Sequence, residues 1–220
     1  MFMRPFLTAA LALVLLTGTV SVAKADYFVW EDTKTGMTLS YPDTWEVENG
    51  QDPDDLVTLA APSGRANAYC RIRSHEDKRY AIFPPRFNSD VQKIEYSVGF
   101  WDQYLREYKQ PELQTYRDSA GMGRGWASYA EASYTSFVPY PEMDRRAVLF
   151  ASLYNNRVYI LDCSCHKDAF EKWKGPFLSI AKSIDFKKAN HELLTGHYRN
   201  FMNDGRLIMQ GPEGNYTTSY

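Results

Sequence analysis

The sequence is short of cysteine, histidine and any excess of one charge, and each shortage excludes something. Three cysteines in 220 residues are too few for a disulfide-dense scaffold. They are also one short of the four ligands that a structural zinc site usually takes. Lys and Arg number 25 against 27 Asp and Glu, spread along the chain, so the basic footprint of a nucleic-acid binder is missing. Four histidines leave few candidates for acid–base or metal chemistry. There is no Gly-x-Ser-x-Gly elbow, no internal repeat and no low-complexity block.

Long apolar runs are missing too, with one exception. The chain opens MFMRPFLTAALALVLLTGTVSVAKADYF, with Arg4, an apolar run from Phe6 to Val22, and Ala23-Lys24-Ala25 before Asp26. That order of parts is a secretory signal peptide with a small-x-small cleavage site. The run is short for the ~20 apolar residues of a spanning helix, which argues against a retained anchor. No cysteine follows it to carry a lipid. The expectation is a signal peptide over residues 1–25, cleaved after Ala25, and a periplasmic or secreted protein without stable membrane insertion after cleavage. Loss of Arg4 and Lys24 takes the formal net charge from −2 to about −4.

What is present is alternation. Met37, Leu39 and Tyr41 share one face of a half-buried strand, Pro42-Asp43-Thr44 turns, and Trp45 resumes the alternation. A polar loop at 49–55 leads to strands at 56–61 and 66–73, in the second of which Ala68, Cys70 and Ile72 point one way. The period then changes: Val91, Ile94, Val98, Trp101, Leu105 and Tyr108 recur at steps of three and four and predict one helix over 89–108. Ser89 with Gln92 reads as its capping box, and Gln110-Pro111 closes it.

Strands return at 113–117, 126–135, 147–154 and 158–165, the last two joined by an Asn155-Asn156 hairpin turn. Asp168 is expected to cap a second helix carrying Phe170, Trp173, Phe177 and Ile180 on one face. Gly175-Pro176 should break or kink that helix, and 184–186 is a short final strand. The pattern is α+β: a central, mainly antiparallel sheet flanked by helices over residues 26–188. Residues 189–220 read as a C-terminal tail, partly helical or disordered.

Two stretches resemble a known family. "GMTLSYPDTWEV" (36–47), a strand running into Tyr41-Pro42, a turn and Trp45, is similar to the opening of the PsbP-like superfamily, of PsbP/Mog type. "RVYILDCSC" and "FEKWKGPFLSIAKSIDF" (157–186), with Phe177, Ile180, Ser183 and Phe186, are similar to its close. The resemblance implies an α/β/α sandwich and an uncharacterised bacterial exported branch. It implies no catalytic set, because these motif residues are turn and core positions.

The chemistry-bearing candidates are weak. In His191-Glu192-Leu193-Leu194-Thr195-Gly196-His197 the second histidine comes too late for a zinc protease, since Thr195 occupies the place one helical turn on. Gly121-Met122-Gly123-Arg124-Gly125 lacks phosphate-loop spacing and precedes a strand, so it reads as a flexible turn or bulge. His75-Glu76-Asp77 and His166 with Asp168 supply acid–base types at strand ends, where charge is normally solvated. Arg145 and Arg146, adjacent in a strand, point to opposite faces. Asn215-Tyr216-Thr217 is a glycosylation sequon only in a eukaryotic source.

Cys70, Cys163, Cys165 and His166 make a conceivable metal set, but alternation puts His166 opposite the two cysteines. In an oxidising compartment the better reading is a disulfide from Cys70 to Cys163 or Cys165, with one thiol left over. No cofactor and no metal are expected. The reading is therefore an exported, non-catalytic binding or accessory protein of the bacterial cell envelope, its partner an envelope protein or ligand. The alternatives are a hydrolase built from dispersed residues such as His75, His166 and Asp168, or a carrier of an apolar ligand using the aromatics of 89–108.

Overall fold

A computed structural model describes residues 26–48, 52–84, 87–123, 125–137 and 141–186. The signal-peptide segment, the tail and the His191–His197 string lie outside these residues. Two antiparallel sheets form. The strands β1 (Tyr27–Glu31), β2 (Met37–Pro42) and β10 (Asp185–Phe186) make the small sheet, in the order β1-β2-β10.

The large sheet contains β3 (Glu46–Glu48), β4 (Asp55–Ala60), β5 (Tyr69–Glu76), β6 (Lys109–Met122), β7 (Gly125–Ser136), β8 (Met143–Tyr154) and β9 (Arg157–His166). Its order is β3-β4-β5-β9-β8-β7-β6. The α+β expectation is met, with helices on both faces of the large sheet.

On one face, helix α3 (Phe170–Ser183) and the small sheet cover Cys70, Ile72, Val148, Phe150, Leu161 and Cys163. On the other, α1 (Asn88–Glu95) and α2 (Val98–Tyr104) cover Ala130, Ala132, Leu149, Ala151, Val158 and Ile160. Because β8 and β9 are covered on both faces, nearly every residue in them is buried. Their sequences are accordingly apolar runs more than clean alternations.

The predicted helix over 89–108 is instead two short helices and a 3-10 turn, Leu105–Glu107. The chain breaks at Tyr96, whose hydroxyl donates to buried Asp77 at 2.7 Å. The capping box is also overturned. Phe87 holds the cap position, and the Gln92 side chain plugs into the sheet, where it donates to the Trp126 carbonyl at 2.5 Å and accepts from the Leu153 N–H at 2.9 Å. Ile94, placed on the buried stripe by periodicity, is 70% exposed.

Three further expectations change. Asp168 is not the cap of α3: it sits in a 3-10 turn (Lys167–Ala169) whose own cap is His166, and Ala169 precedes the helix. Gly175-Pro176 does not break α3, which runs through both on its exposed side, where the proline ring and the lost hydrogen bond disturb no core packing. The glycine run at 121–125 is a pinned hairpin turn. Gly123, at φ +59°, donates to the Ala181 carbonyl at 2.8 Å, and an added Cβ would lie 1.7 Å from the Ile184 oxygen.

The two stretches that carry the family resemblance meet in space. Ser40 N–H donates to the Ser183 hydroxyl at 3.0 Å, Asp185 and Phe186 pair with Thr38 and Met37, and Trp45 packs edge-on against Trp173. Tyr41, Trp45, Phe177, Ile180 and Phe186 are all core residues.

Candidate functional site

The helix-covered face carrying Tyr69, Arg71 and Arg73 is not covered along its whole length. Past the end of α2 the sheet lies open, and small residues there, Ala60, Ala61, Ala68 and Gly64, leave a groove of about 570 Å³. That is the size of a small-molecule site. Strand alternation brings Thr58, Arg71 and Asp162 side by side across β4, β5 and β9. The next row holds Ala60, Tyr69 and Ser164. Tyr108, Glu107 and Phe137 close the groove from the helix end and the β7 end.

The floor is a charged network. Tyr104 and Tyr108 donate to Asp162 Oδ2 at 2.9 and 3.1 Å, and Arg71 Nη2 donates to the Tyr108 hydroxyl at 2.9 Å. Burial, then the Asp162 carboxylate, push both tyrosine hydroxyls well above their ordinary pKa. Burial opposes the Arg71 charge, but Asp162 and the surrounding tyrosines outweigh it, so the guanidinium stays protonated. Among the described residues, no hydrogen-bond partner reaches the buried atoms Arg71 Nε, Thr58 Oγ1 or Asp162 Oδ1.

Two other arginines flank Arg71 on the same face, and both are saturated. Arg73 binds Asp55 at 3.2 Å, Glu107 at 2.9 Å and Asp52 at 3.3 Å. Arg145 is fully buried, and among the described residues no carboxylate pairs with it. It is held by Ser164 Oγ and O at 3.0 Å and by Asn67 Oδ1 and O at 2.7 Å, with its guanidinium 4.4 Å from the Tyr69 ring centroid. Asn67 reaches it from a left-handed conformation, φ 42°. Arg146 points to the opposite face, as the alternation predicts, toward Glu131 and Glu171.

The cysteines are elsewhere, on the α3 side. Cys70 lies directly opposite Cys163 in the β5–β9 register, and the structure joins them. Cys165 sits two residues further along, buried as a free thiol whose pKa burial pushes up to about 11. A set of three thiolates and an imidazole is thereby broken, since two of its sulfurs are bonded to each other. No group of three or more His, Cys, Asp or Glu among the described residues stands ready to hold a metal ion.

The residues of the hydrolase alternative do not converge. His166 Nδ1 lies 3.7 Å from Asp168 Oδ2 and accepts the Asp168 N–H at 3.2 Å. His75, paired with Val158, lies at the far end of β9, roughly 26 Å away at ~3.3 Å per residue. Most aromatics of the carrier alternative fill space, since Tyr96 and Trp101 are fully buried and Phe100 packs against both, while Tyr108 lines the groove. No helix among the described residues is long and apolar enough to cross a membrane.

Sequence reasoning missed the groove. Its signals were present: Tyr69-x-Arg71-x-Arg73 puts an aromatic and two cations on one strand face, and Asp162 interrupts an apolar strand.

No family model and no curated protein matches the chain. Among solved structures it is similar to PsbP (CyanoP) from Synechocystis sp. PCC 6803, at 19% identity and TM-score 0.45 over 78% of this chain and 98% of that one. LpqN of Mycobacterium tuberculosis, involved in cell envelope biogenesis, matches at 12% identity and TM-score 0.44 over 74% and 91%. PA94 of Pseudomonas aeruginosa, a protein of unknown function, matches at 11% and 0.46 over 74% and 99%. Similarities of this size transfer neither activity nor partner.

Proposed function

We propose that the protein is an exported, non-catalytic binding protein of the cell envelope, and that the groove beside Arg71 is where it binds. The observation that carries this reading is the open groove itself. It combines a walled volume of small-molecule size with a guanidinium that lines it, is anchored by Tyr108 and has its Nη1 no nearer than 3.5 Å to a carboxylate oxygen. Anchoring by Tyr108 and Asp162 fixes the cation before any ligand arrives, and such preorganisation lowers the entropic cost of binding. The first 25 residues and the Cys70–Cys163 bond support export, because disulfides persist in oxidising compartments. The envelope role of LpqN is in keeping with that setting.

Ala60 lines the groove beside the charged network, so Ala60→Trp occupies the groove while leaving every residue of that network in place. The mature protein and this variant are incubated with envelope extract, re-isolated and analysed by mass spectrometry. Species retained by the parent and lost from Ala60→Trp are the expected result. An identical retained set overturns the reading.

A further inference from the structure

Three arginines share the groove face, and their hydrogen bonding separates them. Each nitrogen of Arg73 has a carboxylate oxygen within 3.3 Å. Arg145 is fully buried and bonded on all three nitrogens by Ser164, Asn67 and Met143. Among the described residues Arg71 has a single hydrogen bond, from Nη2 to Tyr108. Its nearest carboxylate oxygens stand at 3.5 Å on Asp52 and at 3.8 Å on Glu107 and Asp162, outside good hydrogen-bond geometry. A guanidinium carries five donors in a planar fork that matches a carboxylate. Arg71 is thus the face arginine with donor capacity left, and it lines the groove.

The surroundings narrow the anion. Glu48, Asp52 and Glu107 line the same groove, so a dianion or polyanion would meet three carboxylates with one open cation to offset them. Among anions a monoanion is opposed least. Asp52 and Glu107 are 50% and 41% exposed and are held more closely by Arg73, so both can yield their looser contact with Arg71 to another carboxylate at little cost. Part of the remaining lining is apolar, namely Ala60, Ala61, Ala68, the Tyr69 ring and Phe137, which is 54% exposed, and the rest carries hydroxyl and amide groups.

We infer that the groove recognises a small monocarboxylate, whose carboxylate sits on Arg71 and whose apolar body lies along Tyr69 and Phe137. This rests on the groove being the binding site. Binding is measured by chemical-shift titration of the mature protein with two matched pairs, N-acetylphenylalanine against its amide and octanoate against octanamide, with inorganic phosphate as a third arm. In at least one pair the acid is expected to bind about tenfold or more tightly than the amide, the factor that one charge-assisted hydrogen bond supplies.

Arg71→Gln should abolish that preference. Because this change also strips a partner from buried Asp162, Glu107→Gln serves as a second variant: it removes a competing carboxylate, and acid binding should tighten severalfold while amide binding stays unchanged. Equal binding of acid and amide, no binding by either acid, or tighter binding of phosphate overturns the inference. The Ala60→Trp retention result stands or falls separately.

Discussion

Arg71 and Asp162 face each other across the β5–β9 pairing, and the Tyr108 hydroxyl stands between them, accepting from Arg71 at 2.9 Å and donating to Asp162 at 3.1 Å. The sheet register creates the opposition and the segment after α2 supplies the bridge. The direct ion-pair distance is 3.8 Å, so the tyrosine is part of how the two charges are coupled.

That coupling is measurable. Tyr108→Phe removes one bond to each charge and is expected to cost about 1–3 kcal/mol in urea unfolding. Arg71→Ala leaves Asp162 buried without its cation and is expected to cost about 3 kcal/mol or more. Adding Asp162→Asn to Arg71→Ala should recover part of that loss, since the uncompensated charge is gone. A strictly additive double mutant would show that the pair is not coupled.

The Cys70–Cys163 bond predicts a labelling pattern. Alkylation of the unreduced, denatured protein should modify one thiol, Cys165, and three after reduction. The bond spans 93 residues, and its loss through Cys70→Ser is expected to lower stability by about 2–5 kcal/mol. Three labelled thiols without reduction would refute the bond.

Acid should weaken the segment between β5 and α1. Asp77 is held down to a pKa of about 2, first by the Arg79 side chain at 2.6 and 2.8 Å, with the Tyr96 hydroxyl adding at 2.7 Å. Its folded pKa is depressed below the ordinary ~3.9, so its contribution is full above about pH 4 and is lost as pH falls toward 2. At most about 2 kcal/mol is involved. Asp77→Asn should flatten this part of the stability–pH curve, and an unchanged slope would discount the network.

Gly123→Ala tests the pinned turn. Positive φ and a Cβ 1.7 Å from the Ile184 oxygen predict a loss of about 3 kcal/mol or more, seen as a lowered urea midpoint. Gly99, in α2, has open space around an added Cβ, so Gly99→Ala should be neutral or stabilising and serves as the control.

Alternation made much of the fold legible, because in β2, β5 and β9 it maps onto two distinct environments. It placed Cys70, Cys163 and Cys165 on one face, and only the register, a long-range property, selects between the last two. Periodicity misread 89–108 because Gln92 and Tyr96 are bound by groups far away in sequence, Leu153 and Asp77. The groove was hidden for a similar reason. Arg71 and Arg73 look like the solvent side of a half-buried strand until α2 and Tyr108 arrive above them. Strand β1 went unread because its apolar residues Tyr27, Phe28 and Val29 are all exposed, without the alternation that marks a half-buried strand.

The hook between Ser40 and Ser183 spans 143 residues, and β10 pairs with β2 across a similar separation. A topology in which an early strand waits for a late one has high contact order and folds slowly. The small sheet cannot complete until residue 186 has left the ribosome, so β2 is left without its β10 neighbour while the whole large sheet is being made.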